Sequence, residues 1–329
     1  MEWERKQLLC VENLVWILIV ITFIIFSVLH HSYFTLNTLI SILQAAGMLG
    51  PLALGLGICV LAGDFDVSLA QIAGLSAVLV AWLWTYSSLP WFLILLIPLG
   101  VGIAIGTFYG VFIGKGGMNP FLITLGGYIV WDSLKHYIGG GQYFNVTDSK
   151  ILFPGGARIM EGVFVSSVVS IGLLLLIWFF VKYTRIGTEI YAVGASAETA
   201  RRLGINIDNI KLLVHALAGT LAGLCGLFYV GYIGGQVTSW VAEGEIFPAF
   251  VAIAIAGISI TGGRGNLLHI LGGVIFYRMI ITGTIMMGIS FEFSEYIIPG
   301  ILVLAAVVLV NRLDVFRDRI LSRTLTPKR

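Results

Sequence analysis

The stretch LALGLGICVLAGDFDVSLAQI, residues 52–72, is an apolar run that reaches Gly63, admits two acids, Asp64 and Asp66, and resumes after Ser68. The runs on either side, 38–62 and 67–87, are each long enough to cross the ~30 Å of bilayer hydrocarbon, which takes roughly 20 residues. A charge inside such a run costs about 2.5–3.5 kcal/mol on insertion scales, so each acid should face a cavity, a partner or a helix end. Asp66 can cap the helix that opens at Val67-Ser68, with Gly63 supplying a tight turn. It can equally touch a transport path. On either reading residues 63–68 form a broken-helix junction between two spans.

Outward from this junction the pattern repeats. Candidate spans lie at about 13–30, 38–62, 67–87, 91–114, 119–138, 164–182, 208–231, 246–261, 266–288 and 295–311, the eighth being short. Of the 329 residues 58% are apolar and 11% charged, against about 25% charged in a soluble chain. The sequence predicts an all-α integral membrane protein of about ten transmembrane helices, a single permease-like domain over 1–329. Lys and Arg accumulate in cytoplasmic connections. Ten spans with both termini inside place fifteen of the 19 basic residues there. Lys135, Lys150 and Arg158 fall outside and Arg278 falls within a span. The predicted location is the cell membrane, with the lipid bilayer as partner.

Several function classes are excluded by what the residues lack. A net charge of +2 gives no footprint for nucleic acid. Cys10, Cys59 and Cys225 have no paired spacing and read as buried fillers, so neither a disulfide framework nor a metal site is expected. The phosphate-binding pattern Gly-x4-Gly-Lys-Ser/Thr is absent. Lys115 follows Gly114, but Gly116 replaces the hydroxyl residue and Tyr109 the first glycine. No catalytic residue and no cofactor are predicted on this chain. His215 and His269 read as helix-interface residues.

Gly102, Gly106, Gly110 and Gly114 recur every four residues, lining one helix face for close packing, and Gly219 and Gly223 repeat the device. Other acids in or near apolar runs are Asp132, Glu243 and Glu245. Glu243-Gly244-Glu245 sits at the outer mouth of the eighth span, as cap, path or docking point. Arg278 either pairs with one of these acids or snorkels. The inner connection 182–211 holds a short helix at about 196–203. Ser196 is its N-cap, Glu198 lies in its first turn, Arg201 and Arg202 in its last, and Gly204 is its stop. Glu198 and Arg201 form a local pair or reach across an interface.

Four segments resemble the ribose-type permeases of bacterial and archaeal ATP-binding-cassette (ABC) importers. Gly63-Asp64-Phe65-Asp66-Val67-Ser68 resembles Gly-Gly-Ile-Asp-Leu-Ser, and Asn119-Pro120-Phe121-Leu122-Ile123-Thr124-Leu125-Gly126 resembles Pro-Ala-Phe-Ile-Ala-Thr-Leu-Gly. Tyr191-Ala192-Val193-Gly194 through Arg201-Arg202-Leu203-Gly204-Ile205-Asn206 is similar to the family's cytoplasmic segment. Gly262-Gly263-Arg264-Gly265 closes a stretch similar to its Gly-x-Ser-Leu-x-Gly-Gly-Arg-Gly signature. Asp64 departs from the family's apolar residue, and Phe247-Pro248 from its acidic-apolar pair.

The resemblance implies a permease subunit, working as a dimer of permeases. Its partners would be an ABC ATPase that binds ATP and Mg and an extracytoplasmic solute-binding protein. It implies sugar transport. Asp64, Asp66, Ser68, Asn119 and Thr124 are the transport-path candidates, and Glu243 and Glu245, in a loop that the charge count places outside, are the docking candidates. Gly194, Ser196, Glu198, Arg201, Arg202 and Gly204 would couple to the ATPase. A nucleoside or sugar-like autoinducer importer is the nearby alternative. An ion-coupled carrier using Asp64, Asp66 and Asp132 is the distant one.

Overall fold

A computed structural model describes residues 13–160, 162–305 and 307–308. Arg5, Lys6, Cys10, the basic residues beyond Val310 and both predicted cytoplasmic termini lie outside the described residues.

The chain forms α1 (Leu14–Leu29), α2 (Leu36–Leu61), α3 (Leu69–Tyr86), α4 (Trp91–Gly114), α5 (Pro120–Gly139) and α6 (Ser149–Gly156). It continues with α7 (Val165–Tyr183), α8 (Arg185–Ala195), α9 (Ala197–Arg202), α10 (Ile207–Tyr232), α11 (Ile246–Ile255) and α12 (His269–Met286). The last is α13 (Phe293–Ala305), which opens on a π-helical turn. Each of the ten predicted runs overlaps a helix among the described residues. Among the described residues, six (α2, α3, α4, α7, α10 and α12) are long and apolar enough to cross a membrane, while α1, α11 and α13 are shorter apolar helices. Two small antiparallel ribbons, Phe144–Asn145 with Gln236–Val237 and Arg158–Met160 with Val163–Phe164, tie connections together.

Local chemistry sets the helix starts. Asn119 accepts the Leu122 N–H at 3.2 Å with Pro120 in the first turn, and Asn206 accepts the Asn209 N–H at 3.1 Å. Gly140, at φ +56°, closes α5 in the left-handed conformation that glycine tolerates.

The bundle is organised around α2 and α10. Helix α10 packs on α2, α3, α4 and α6. A Cβ added at Gly106 would run into the His215 carbonyl, and one at Gly110 would lie 2.5 Å from Leu212 Cα. Gly102 and Gly219 likewise each face the other's backbone, and Gly114 meets Asp208. Lipid offers no hydrophobic drive between helices, so backbone approach through small residues supplies the dispersion contacts.

Helix α11 ends at Ile255, six residues before the predicted 261. Gly257 has φ +75° and breaks the helix, and the chain then turns back on itself, with the Ser259 N–H donating to Arg264 O at 3.0 Å. Ten residues rise about 15 Å, half the hydrocarbon thickness.

Candidate functional site

Three of the four sequence segments meet at one end of the bundle. The α2–α3 link, residues 62–68, is held beneath the α8–α9 corner and the 257–265 loop. Gly63 has φ +84°, and a Cβ there would lie 3.3 Å from Gly194 Cα. Gly262, at φ +85°, faces Gly63 in turn, with only 2.7 Å for a Cβ. The Gly263 N–H donates to Leu61 O at 2.9 Å, and a Cβ on Gly194 would collide with that same Leu61 carbonyl. The Tyr191 hydroxyl donates to Gly265 O at 2.7 Å, and burial raises its pKa, which keeps the donor protonated. Glycine is required here because three backbones touch, leaving no room for side chains.

Beneath this contact lies a closed charge cluster. Asp64, Asp66 and Ser68 are 3%, 1% and 0% exposed. Lys211 Nζ lies 2.5 Å from Asp64 Oδ1 and donates to Ala62 O at 2.9 Å. His215, one turn further along α10, places Nε2 3.0 Å from Asp64 Oδ2 and Nδ1 3.6 Å from Asp66 Oδ2. Asp66 Oδ1 accepts the Ser68 N–H at 2.9 Å and its hydroxyl at 2.7 Å, so Asp66 does not itself cap α3 but holds Ser68, the residue at its N-cap. These acids therefore face partners within the bundle. Thr124, also buried, accepts from the Val67 N–H at 3.4 Å and bonds its own helix, while exposed Asn119 caps α5.

Sequence reasoning missed Lys211 and His215 as partners of the acids. The available signal was a cation pair at i and i+4 on one face of an apolar span.

Helix α9 carries Ser196 as its N-cap, accepting the Thr199 N–H at 3.2 Å. Glu198 pairs with Arg202, four residues on, at 2.5 Å rather than with Arg201, because the i,i+4 side chains align on this turn. Both partners are about four-fifths exposed, and Gly204 stops the helix at φ +81°. Helix α8, which runs straight into this corner, was not anticipated from the sequence.

At the opposite end, Arg278 pairs with Glu245 at 3.1 Å and lies 3.9 Å from Glu295. The Tyr229 hydroxyl also donates to Glu245, at 2.7 Å. Glu245 is 7% exposed, which removes it from the predicted docking surface. Glu243 is exposed, 3.7 Å from Lys135 and 3.6 Å from His136. Lys135 is itself buried against Asp132 and Gln71, both at 3.0 Å. A cavity of about 710 Å³ opens here, with Glu243, Glu245 and Glu295 in its wall.

The ribose import permease of Escherichia coli (strain K12) is 28% identical over 315 residues, covering 94% of this chain and 95% of that protein. The fructose import permease of Rhizobium meliloti is 28% identical over 299 residues, covering 88% and 82%. The ribose import permease of Bacillus subtilis (strain 168) is 27% identical over 288 residues, covering 87% and 88%. The profile of the family described as "Branched-chain amino acid transport system / permease component" matches residues 38–307. The buried junction, the half-length α11 and the cavity at the opposite end of the bundle all fall within that span, and this chain, a multi-pass membrane protein, belongs to that family of permease components.

Proposed function

We propose that this chain is the permease subunit of an ABC importer that carries a pentose, a hexose or a related small polyhydroxylated solute into the cell. The observation that carries the reading is the meeting of Gly194, Gly63 and Gly263 over the buried acids. It joins an exposed helix, suited to receive force, to the spans that must move. The chain offers no phosphate-binding loop of its own, so ATP and Mg are assigned to a separate ATPase subunit docked on α9. The sugar follows from the ribose and fructose import permeases to which the chain is similar.

In this reading ten helices cross the membrane as one permease domain, with both termini cytoplasmic. The α2–α3 link, α8–α9 and the 257–265 loop face the cytoplasm. The 233–245 loop, with exposed Glu243, faces an extracytoplasmic solute-binding protein. A second permease copy completes the path, and a nucleoside-type solute is the nearest alternative cargo.

The test is uptake of radiolabelled D-ribose, D-fructose and L-leucine in the native cell with the gene intact and deleted. Loss of ATP-dependent sugar uptake on deletion is expected. Sugar uptake unchanged by deletion, with L-leucine uptake lost, would replace the sugar with an amino acid.

A further inference from the structure

The outer cavity has a composition of its own. Trp240, Phe247, Phe291 and Tyr296 stand exposed around it, and Glu245 and Glu295 close its inner side. Its depth follows from Arg278, which pairs with Glu245 from a point nine residues into α12, about 14 Å along that helix. The floor thus lies near half the thickness of the bundle.

A lipid-filled groove does not fit this wall. Arg278 is already engaged by Glu245 at 3.1 Å, and Glu295 has it only at 3.9 Å. The Glu295 side chain, 20% exposed, would be left in hydrocarbon with an incomplete partner, a cost that membrane proteins avoid by giving such groups water or ligand. Glu243 is met by Lys135 and His136 at the rim. Glu295 is therefore the carboxylate with spare accepting capacity.

We infer that this cavity is the solute's outer binding site, that it takes a neutral polyhydroxylated ring, and that Glu295 accepts hydrogen bonds from its hydroxyls. This rests on the import reading above. The chemistry is selective in three ways. Among the described residues no Lys or Arg lines the cavity, so a phosphorylated sugar would meet like charge without compensation. An aliphatic side chain would leave the Glu295 lone pairs unmet, whereas hydroxyls satisfy them. Aromatic side chains offer apolar faces to the C–H face of a ring, the usual makeup of a small-molecule pocket with a few placed polar groups.

The test uses right-side-out vesicles, washed free of soluble proteins, from cells making the full transporter. Gly300 lines the cavity, and a Cβ there meets nothing within 4 Å. Gly300→Cys is made in a Cys10→Ser background, since Cys59 and Cys225 are buried. A membrane-impermeant maleimide should label it, and D-ribose at millimolar concentration should slow the labelling. D-ribose 5-phosphate and L-leucine should not. Glu295→Gln should raise the half-protecting D-ribose concentration roughly tenfold, the loss of one charge-assisted hydrogen bond. Glu295→Asp should lie between the two. Unprotected labelling at the parental rate shows that the variant's cavity is intact, and Trp240→Ala gives a second variant, expected to weaken protection.

Labelling indifferent to D-ribose in vesicles from cells that import D-ribose would overturn the cavity assignment and leave the import reading standing. Protection unchanged by Glu295→Gln would overturn the role of Glu295. Cells that import no sugar through this protein would overturn the import reading itself.

Discussion

Lys211 and Asp64 stand 147 residues apart in the chain, yet the lysine ammonium lies 2.5 Å from Asp64 Oδ1 and donates at 2.9 Å to the carbonyl of Ala62, next to the same turn. This pair fastens the α2–α3 link to the central helix α10. With His215 it also offsets two carboxylates that have almost no solvent.

Removing one member of a buried pair costs about 3–5 kcal/mol, because the other charge is left without compensation. Lys211→Met should therefore lower stability by about that amount, read as a drop in thermal unfolding temperature in detergent. Lys211→Met combined with Asp64→Leu should recover most of the loss, since an apolar pair of similar volume is often neutral. A single variant that melts with the parent would show that the pair does not hold the link.

The α4–α10 contact makes a separate prediction. Gly106→Val forces a branched side chain into the backbone around His215 and Ala216, and overpacking of this kind costs about 1–3 kcal/mol. Gly100, two residues before Gly102 and so on the other side of α4, has nothing within 4 Å of an added Cβ. Gly100→Ala should melt with the parent while Gly106→Val melts lower, and equal melting would remove the glycine ladder from the packing account.

Glu198 and Arg202 test whether α9 meets a partner. Both are exposed, and an exposed i,i+4 pair contributes roughly 0.3–0.5 kcal/mol. Replacing both by Ala should leave permease stability within that margin while lowering sugar uptake and co-purification of the ATPase. Unchanged uptake would show that this face of α9 carries no docking energy.

Much of the fold was legible because apolar runs of spanning length have few other uses. The features that escaped are those that long-range packing creates. Arg278 was visible as a charge within a span, but Glu245 and Glu295 come from two other elements, and only the fold selects them from the other acids. Glu245 looked like a surface residue because it opens α11, and it is the depth of that half-helix that buries it. Helix α8 was hidden because Thr184 ends α7 and at once caps the next helix, accepting the Gly187 N–H at 3.2 Å, with no loop between them. At the junction, Gly63 could be read locally as a turn, whereas Asp66, expected as a cap, instead bonds the N-cap residue Ser68. Lys211 was counted as a charge of the cytoplasmic connection, although its side chain lies within the bundle.

The central claim is that motion of α9 reaches the spans through the Gly194 contact with Leu61 and Gly263. Gly194→Ala puts one methyl group against the Leu61 carbonyl and the Gly263 nitrogen, a change confined to that contact. The decisive measurement is ATP hydrolysis and D-ribose uptake followed together in vesicles containing the assembled transporter with Gly194→Ala. The account predicts that solute-stimulated hydrolysis continues while uptake is lost. Hydrolysis and uptake both at the unmodified level would contradict it.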